Sequence, residues 1–330
     1  MITLQTIQTS EDGTQKFLLE LEDGNLIETV LMKHPYGNSV CVTSQAGCNM
    51  GCAFCASGLT KKVRNLTVAE MLEQVLVANS SLQNLNENSD TLQNQPVEKS
   101  ENSDPAASKV THIVVMGTGE PFDNYYEVLH FCDLVSDERK LIAYIRKADA
   151  LKNVPGKAVN ASFKAIAPRH ITVSTCGLVP KILEFAQTEK RYNLAISLHA
   201  PNNELRNQLM PVNKKYPLEE LIPAAGDYCK KTKRRITFEY LLLDGINDSI
   251  ECAAELSSLL TDPEHFYVNL IPYNNVSEFG FRGSSKETAL QFYDFLMKNG
   301  IKATLRKERG ADITAACGQL RLKHANSSNT

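Results

Sequence analysis

Three cysteines fall within eight residues in the stretch SQAGCNMGCAFCASG: Cys48, Cys52 and Cys55, spaced CxxxCxxC among glycines and small side chains. Buried structural cysteines would not cluster in a Gly-rich loop. A structural zinc site takes four protein ligands, and no second CxxC or HxxxH completes one here. An ordinary four-iron ferredoxin site likewise takes four thiolates. Three thiolates bind three irons of a [4Fe–4S] cubane and leave the fourth open to chelate the amino and carboxylate groups of S-adenosylmethionine. An electron from such a cluster cleaves the sulfonium and yields a 5′-deoxyadenosyl radical. The spacing is the signature of that radical chemistry, and Phe54 just before the third cysteine agrees with it.

Such a loop needs partners at neighbouring strand ends. The segment VVMGTGEPFDNY supplies Gly117, Gly119 and Glu120. Glycines let a backbone approach a ligand closely, and a carboxylate complements an ammonium. A plain turn would not need Glu120. Ser174, the run Ser197, Leu198 and His199, and the run Pro272, Tyr273 and Asn274 end three further strand-like segments. Their small polar groups suit ribose hydroxyls and an adenine edge. His199 alone would read as a structural imidazole; recurrence at successive strand ends is what marks the set. Two more thiols stand apart. Cys317 lies among Gly and Ala in the polar C-terminal stretch RGADITAACGQL, and Cys41 lies on the first core strand, seven residues before Cys48. Exposed loop thiols are costly to keep unless used. Cys132, Cys176, Cys229 and Cys252 fall in helices or loops and read as packing residues.

The elements that must position these residues are legible as a rhythm. KFLLELEDGNLIETVLM is two strand-like runs joined at Asp23-Gly24, a hairpin signal. Strands are then expected at 39–43, 111–116, 170–174, 193–198, 235–241, 267–271 and 302–306. Amphipathic helices are expected between them at 67–77, 125–134, 179–187, 218–230, 250–260 and 286–298. HIVVM and YVNLI are nearly all apolar, as strands covered on both faces are. Repeated β-α units predict an α/β protein with a parallel sheet, open or closed into a barrel, and its C-terminal rim is where the three-cysteine loop falls. Residues 79–109, rich in Asn, Gln, Ser and charge, read as a disordered insertion. Residues 148–167 read as a long loop. The chain has 330 residues, 42% hydrophobic content and a formal net charge of −3. It shows neither a secretory leader nor an apolar run long enough for a membrane span, and no global basic excess. Nine cysteines, an odd number, then argue for a cytoplasmic protein with metal or thiol chemistry rather than a disulfide framework.

The motifs ETVLM, GCNMGCAFCASG, VVMGTGEPFDNY, HITVSTCGLVP, LAISLHAPNNELRNQLMPVNKKYPLEEL, FEYLLLDGIND, VNLIPYN and GADITAACGQL run in order through the chain. Together they resemble the radical SAM dual-specificity rRNA/tRNA adenine-C2 methyltransferases (RlmN), over about residues 10–320 apart from the two insertions. The resemblance implies a radical-SAM partial (β/α)6 barrel over residues 39–310, preceded by an N-terminal β extension over 1–38 and followed by a tail over 311–330 that carries the methyl-bearing cysteine. It implies Cys48, Cys52 and Cys55 as ligands of a [4Fe–4S] cluster. Gly119, Glu120, Ser174, Ser197, Leu198, His199 and Asn274 match positions that bind S-adenosylmethionine. Cys317 matches the cysteine methylated by a first S-adenosylmethionine, Cys41 the cysteine that later resolves the protein–RNA adduct through a disulfide, and Glu28 the proton acceptor. Adenine C2 is electrophilic, so it cannot attack a sulfonium methyl directly; a methyl parked on sulfur and activated by a radical splits the problem into easier steps. Two S-adenosylmethionines would be consumed per turnover.

The implied substrates are 23S rRNA and tRNA, with an electron donor such as flavodoxin or ferredoxin, acting on a monomer. Family members usually carry a small helical domain before the β extension, at which this chain starts, so one RNA-contacting module is expected to be missing. Of the basic runs, Lys61, Lys62, Arg64 and Arg306 near the rim are the better RNA candidates. Two other readings share these residues: an adenine-C8 methyltransferase of the Cfr kind, and a non-catalytic RNA-binding remnant. Intact Glu28, Cys41 and Cys317 argue against the remnant.

Overall fold

The computed structural model describes residues 2–91, 108–147, 164–188, 192–274, 279–307, 310 and 313. Four strands open the chain: β1 (Thr3–Thr9), β2 (Gln15–Glu20), β3 (Leu26–His34) and β4 (Gly37–Cys41), each antiparallel to the next. The turn between β2 and β3 follows the Asp-Gly signal. Asp23 accepts from the backbone N–H of Asn25 at 3.1 Å, and Gly24 takes the left-handed conformation, φ +78°. Strand β1 was not expected from the sequence. Its alternating exposed and half-buried pattern, TLQTIQT, is too polar to stand out.

From β4 onward the sheet is parallel. The strands are β7 (Val110–Val115), β8 (Ile171–Thr175), β9 (Asn193–Ser197), β10 (Ile236–Leu242), β11 (Phe266–Pro272) and β12 (Lys302–Leu305), and they continue one ten-stranded sheet in chain order. Two short strands, β5 (Gln45–Ala46) and β6 (Arg64–Asn65), pair separately. Arg306, just past β12, brings a guanidinium nitrogen to 3.5 Å from the Met32 sulfur on β3, so the far edge of the sheet curls back toward the N-terminal strands. Among the described residues β12 pairs with β11 alone, and the barrel is therefore partial, as expected.

Helices α1 (Val68–Thr91), α2 (Tyr125–Val135), α3 (Glu138–Lys147), α4 (Val179–Phe185), α5 (Asn203–Leu209), α6 (Leu218–Thr232), α7 (Ile250–Leu259) and α8 (Lys286–Lys298) make the connections. Their starts are written locally. Thr67 and Glu70 form a reciprocal capping box, and Asn202, Ser249 and Ser285 each accept from the N–H three residues on. Their inner faces bury Leu72, Phe131, Phe185, Tyr228, Leu256 and Phe292 against the sheet in one continuous core. No helix among the described residues is long and apolar enough to cross a membrane.

Helix α1 corrects the expected start of the insertion at residue 79. The helix runs thirteen residues past Ala78, to Thr91. Asn79 is buried and accepts from the Val110 N–H at 3.0 Å, Ser81 donates to Gln15 at 2.8 Å, and Leu82 enters the core. Two of the buried positions, Asn79 and Ser80, are themselves polar, so composition alone does not mark them as inward. Residues 92–107 lie outside the described residues, as do 148–163 of the second expected loop. Helices α3 and α5 were also not foreseen.

One α1 side chain ties the helix to the strand end that launches the cysteine loop. Gln74 is fully buried; its Oε1 accepts from Thr29 Oγ1 at 2.7 Å and from the Thr43 N–H at 2.8 Å, and its Nε2 donates to the Thr43 carbonyl at 2.9 Å. Gln74→Leu fills the same space and orphans those groups. It is expected to lower unfolding free energy by about 2–4 kcal/mol, read as a reduced urea midpoint at unchanged slope.

Candidate active site

Because β4 and β7–β12 run parallel, their C-terminal ends meet at one rim. There they enclose a cavity of about 380 Å³. Cys48, Cys52 and Cys55 line it together with Gly119, Glu120, Ser174, Ser197, His199, Asn274 and Cys41. Of the other expected residues, Leu198 is wholly buried in the main core and Glu28 is buried on β3, two residues before the cavity-lining Val30. Cys317 lies outside the described residues.

The cysteine loop leaves and returns through the β5–β6 ribbon, so its base is closed by backbone pairing. Gly47, at φ +86°, lets the chain pass under the return: a Cβ there would sit 2.2 Å from the Lys61 carbonyl oxygen. The Cys48 N–H donates to the Thr60 carbonyl at 3.0 Å, Ala53 N–H to Leu209 at 2.9 Å, and Tyr273 Oη to the Phe54 carbonyl at 3.3 Å. Phe54 meets the His199 ring edge-on at 4.9 Å between centroids. The loop is thus held by the ends of β9 and β11 and by α5.

Burial pushes the Cys48 thiol up to about 11, helped by the charges of Cys55, Glu120 and Asp123; Cys52 is driven up further, by burial first and then by the charges of Cys55, Cys48 and Glu120. Three enclosed thiols that repel one another as thiolates need a metal's positive charge to stay ionised. Among the described residues no three His, Cys, Asp or Glu side chains converge on a single ion. A cubane does not ask for that, since each thiolate takes its own iron. The donor set fits a cluster.

Glu120 has more structural work than expected. Its carboxylate accepts from the Phe122 N–H at 2.9 Å, capping a short 3-10 turn (Pro121–Asn124), and from the Cys176 N–H at 2.7 Å on the neighbouring strand end. The turn itself therefore needs this residue. Gly119, at φ +108°, makes its close approach to Gln45: a Cβ would lie 2.6 Å from the Gln45 Cβ. His199, also left-handed at φ 56°, accepts from the Leu241 N–H through Nδ1 at 3.0 Å. Burial, reinforced by the Arg206 charge, lowers its pKa to about 3, so the ring is neutral and carries its proton on Nε2.

Three residues escaped the sequence reading. Cys176, taken there as ordinary packing, lines the cavity with a thiol raised first by burial and then by the Glu120 charge. Glu239 lines it too; burial pushes its carboxyl up to about 7, and Asn269 donates to it at 2.7 Å. Arg206 is fully buried on α5 without an ion-pair partner among the described residues. It donates to the carbonyls of Leu198 (3.1 Å), Cys176 (2.7 Å) and Ser197 (3.1 Å) and to Asn213 Oδ1 (2.8 Å). The available signal was its spacing three residues before Leu209, which puts it on the buried face of α5. Of the basic RNA candidates, Lys62 pairs with Asp123 at 2.6 Å and Arg64 with Glu70 and Asp23, whereas Arg306 lines the cavity.

Arg206→Met keeps the volume and strips donors from three carbonyls at the ends of β8 and β9. Loss of about 2–4 kcal/mol of stability is expected, with reduced iron loading, measured by thermal melting and by iron content after reconstitution.

No protein-family model matches the chain. It is 48% identical over 321 residues to a probable dual-specificity RNA methyltransferase RlmN of Listeria welshimeri, covering 97% of this chain and 76% of that protein. It is 50% identical over 312 residues to a protein of the same description from Malacoplasma penetrans, covering 94% and 76%. Its fold matches a crystal structure of a radical SAM methyltransferase from Sphaerobacter thermophilus with a TM-score of 0.79 at 38% identity, covering 96% of this chain and 80% of that one. With the cysteine loop, the partial barrel and this degree of likeness in agreement, the chain belongs to the RlmN family of radical SAM RNA methyltransferases.

Proposed function

We propose that this enzyme methylates C2 of an adenosine in 23S rRNA, and of an adenosine in the tRNA anticodon loop, through a methylated Cys317. The observation that carries this reading is the place of Cys41: it lines the same cavity as Cys48, Cys52 and Cys55. A site that only generated a radical would need no further thiol on β4. When bound, the [4Fe–4S] cluster and S-adenosylmethionine supply a 5′-deoxyadenosyl radical, and a first S-adenosylmethionine supplies the methyl group.

The chain's own residues do the rest. Cys48, Cys52 and Cys55 hold the cluster. The rim at Gly119, Glu120, Ser174, Ser197, His199 and Asn274, with the Leu198 backbone between them, orients the sulfonium. Cys317 carries the methyl carbon to adenine C2. Glu28 takes the proton that C2 must lose for the ring to regain aromaticity. Cys41 then attacks the Cys317 sulfur as a thiolate: the disulfide forms as the bond from that sulfur to the linking carbon breaks, and that carbon, taking the electron pair, picks up a proton to become the methyl group of the freed base. Flavodoxin or ferredoxin fits as the electron donor, and the enzyme acts as a monomer.

Cys52→Ala is expected to abolish iron–sulfur absorbance and all S-adenosylmethionine cleavage in anaerobically purified protein. Retained absorbance would overturn the ligand assignment. Cys317→Ala should bind the cluster yet give neither methylated protein nor methylated RNA. Cys41→Ala should load methyl onto Cys317, attack the base and stall with RNA attached through Cys317, seen on a denaturing gel and in the peptide mass spectrum. Free, fully methylated RNA from Cys41→Ala would refute the resolving role. Mass spectrometry and chromatographic retention of the product nucleoside, matched to C2- and C8-methyl standards, decide which carbon is methylated.

A further inference from the structure

A buried ion pair stands beside the cavity-lining residues of the N-terminal strands. Lys16 Nζ lies 2.8 Å from Glu28 Oε2, with the lysine side chain fully enclosed and the glutamate side chain 3% exposed. Lysine is almost never enclosed without a partner, and a pair so placed stabilises a fold little better than apolar residues of the same size. Register explains where the pair sits. Lys16 is opposite Val30, and Val30 is opposite Cys41, so the three form one row across β2, β3 and β4. Val30 and Cys41 both line the cavity. Glu28 lies two residues before Val30, hence on the same face. Thr43, past the end of β4, donates to the Glu28 carbonyl at 2.6 Å, which sets Glu28 one step nearer the reaction rim than Cys41. The ammonium thus reaches from the Cys41 row to a carboxylate at the rim.

We propose that Lys16 is a positioning residue, whose ammonium, 2.8 Å from the Glu28 carboxylate, fixes that carboxylate in orientation so that Glu28 can take a proton from the substrate base. This rests on the reading of Glu28 as proton acceptor. No sequence pattern marks Lys16: in TQKFLLEL it falls on the alternate positions that a hairpin turns to solvent, and only pairing with β3 and β4 turns that face inward.

The test compares Lys16→Met, Lys16→Arg and Glu28→Gln in reconstituted holoenzyme, scoring iron–sulfur absorbance, methyl on Cys317, S-adenosylmethionine cleavage and methylated RNA. Lys16→Met is expected to keep the absorbance and the methyl on Cys317. Its methylated RNA per S-adenosylmethionine cleaved should fall about tenfold or more, the low side of what a misplaced base costs. Glu28→Gln should show the same uncoupling, and Lys16→Arg should fall between wild type and Lys16→Met. Wild-type coupling in Lys16→Met, with Glu28→Gln uncoupled, overturns the role of Lys16 and leaves Glu28 standing. Wild-type coupling in Glu28→Gln overturns the proton-acceptor reading itself, and the proposal with it. Should Lys16→Met fail to fold, Lys16→Arg decides: an intermediate ratio supports the proposal, and a ratio equal to wild type overturns it.

Discussion

Parallel pairing is the constraint on which everything else in this protein depends. In the main sheet, β4 and β7 to β12 each hydrogen-bond to a neighbour running the same way, so successive strands are joined by crossovers and all end at the same rim. Residues far apart in the chain, such as Cys41, Gly119, Ser174, Ser197 and Asn274, are thereby delivered to one cavity. The helices bury the outer face and leave the rim loops free to carry function.

The rim is held by polar groups that find their partners within it. The carboxylate of Glu120 joins the ends of β7 and β8, and the guanidinium of Arg206 joins those of β8 and β9. Leu198 and His199 in turn donate through their backbone N–H groups to the Glu239 carbonyl on β10. Each tie is buried, where an unmade hydrogen bond is expensive, so the rim is rigid before any cofactor arrives. That rigidity counters the tendency of three enclosed thiols to spread apart.

The N-terminal strands are part of the same sheet. Because β3 pairs with β4, the row that contains Cys41 continues through Val30 to Lys16, and the extension becomes a wall of the cavity. A charged pair, Lys16 with Glu28, and a thiol, Cys41, thus stand on adjoining strands of the N-terminal part of the sheet.

Local sequence determined what depends on neighbours along the chain. The CxxxCxxC spacing named the metal chemistry, the Asp-Gly turn named the hairpin, and apolar runs such as HIVVM named parallel strands before any coordinates. The motif residues at strand ends were legible for the same reason, since a loop after a strand is a local feature. Tertiary structure alone decided the rest. Composition made 79–91 look disordered, yet the start of β7 captures Asn79 and the core takes Leu82. Nothing local marks Arg206 and Lys16 as buried, because burial of a cation depends on carbonyls and carboxylates supplied by other strands. Glu120 read as a ligand group because its N–H partner, Cys176, is fifty-six positions away. Spacing reports which groups are adjacent on one element; which groups share a low-dielectric interior is fixed only when register sets one strand beside another.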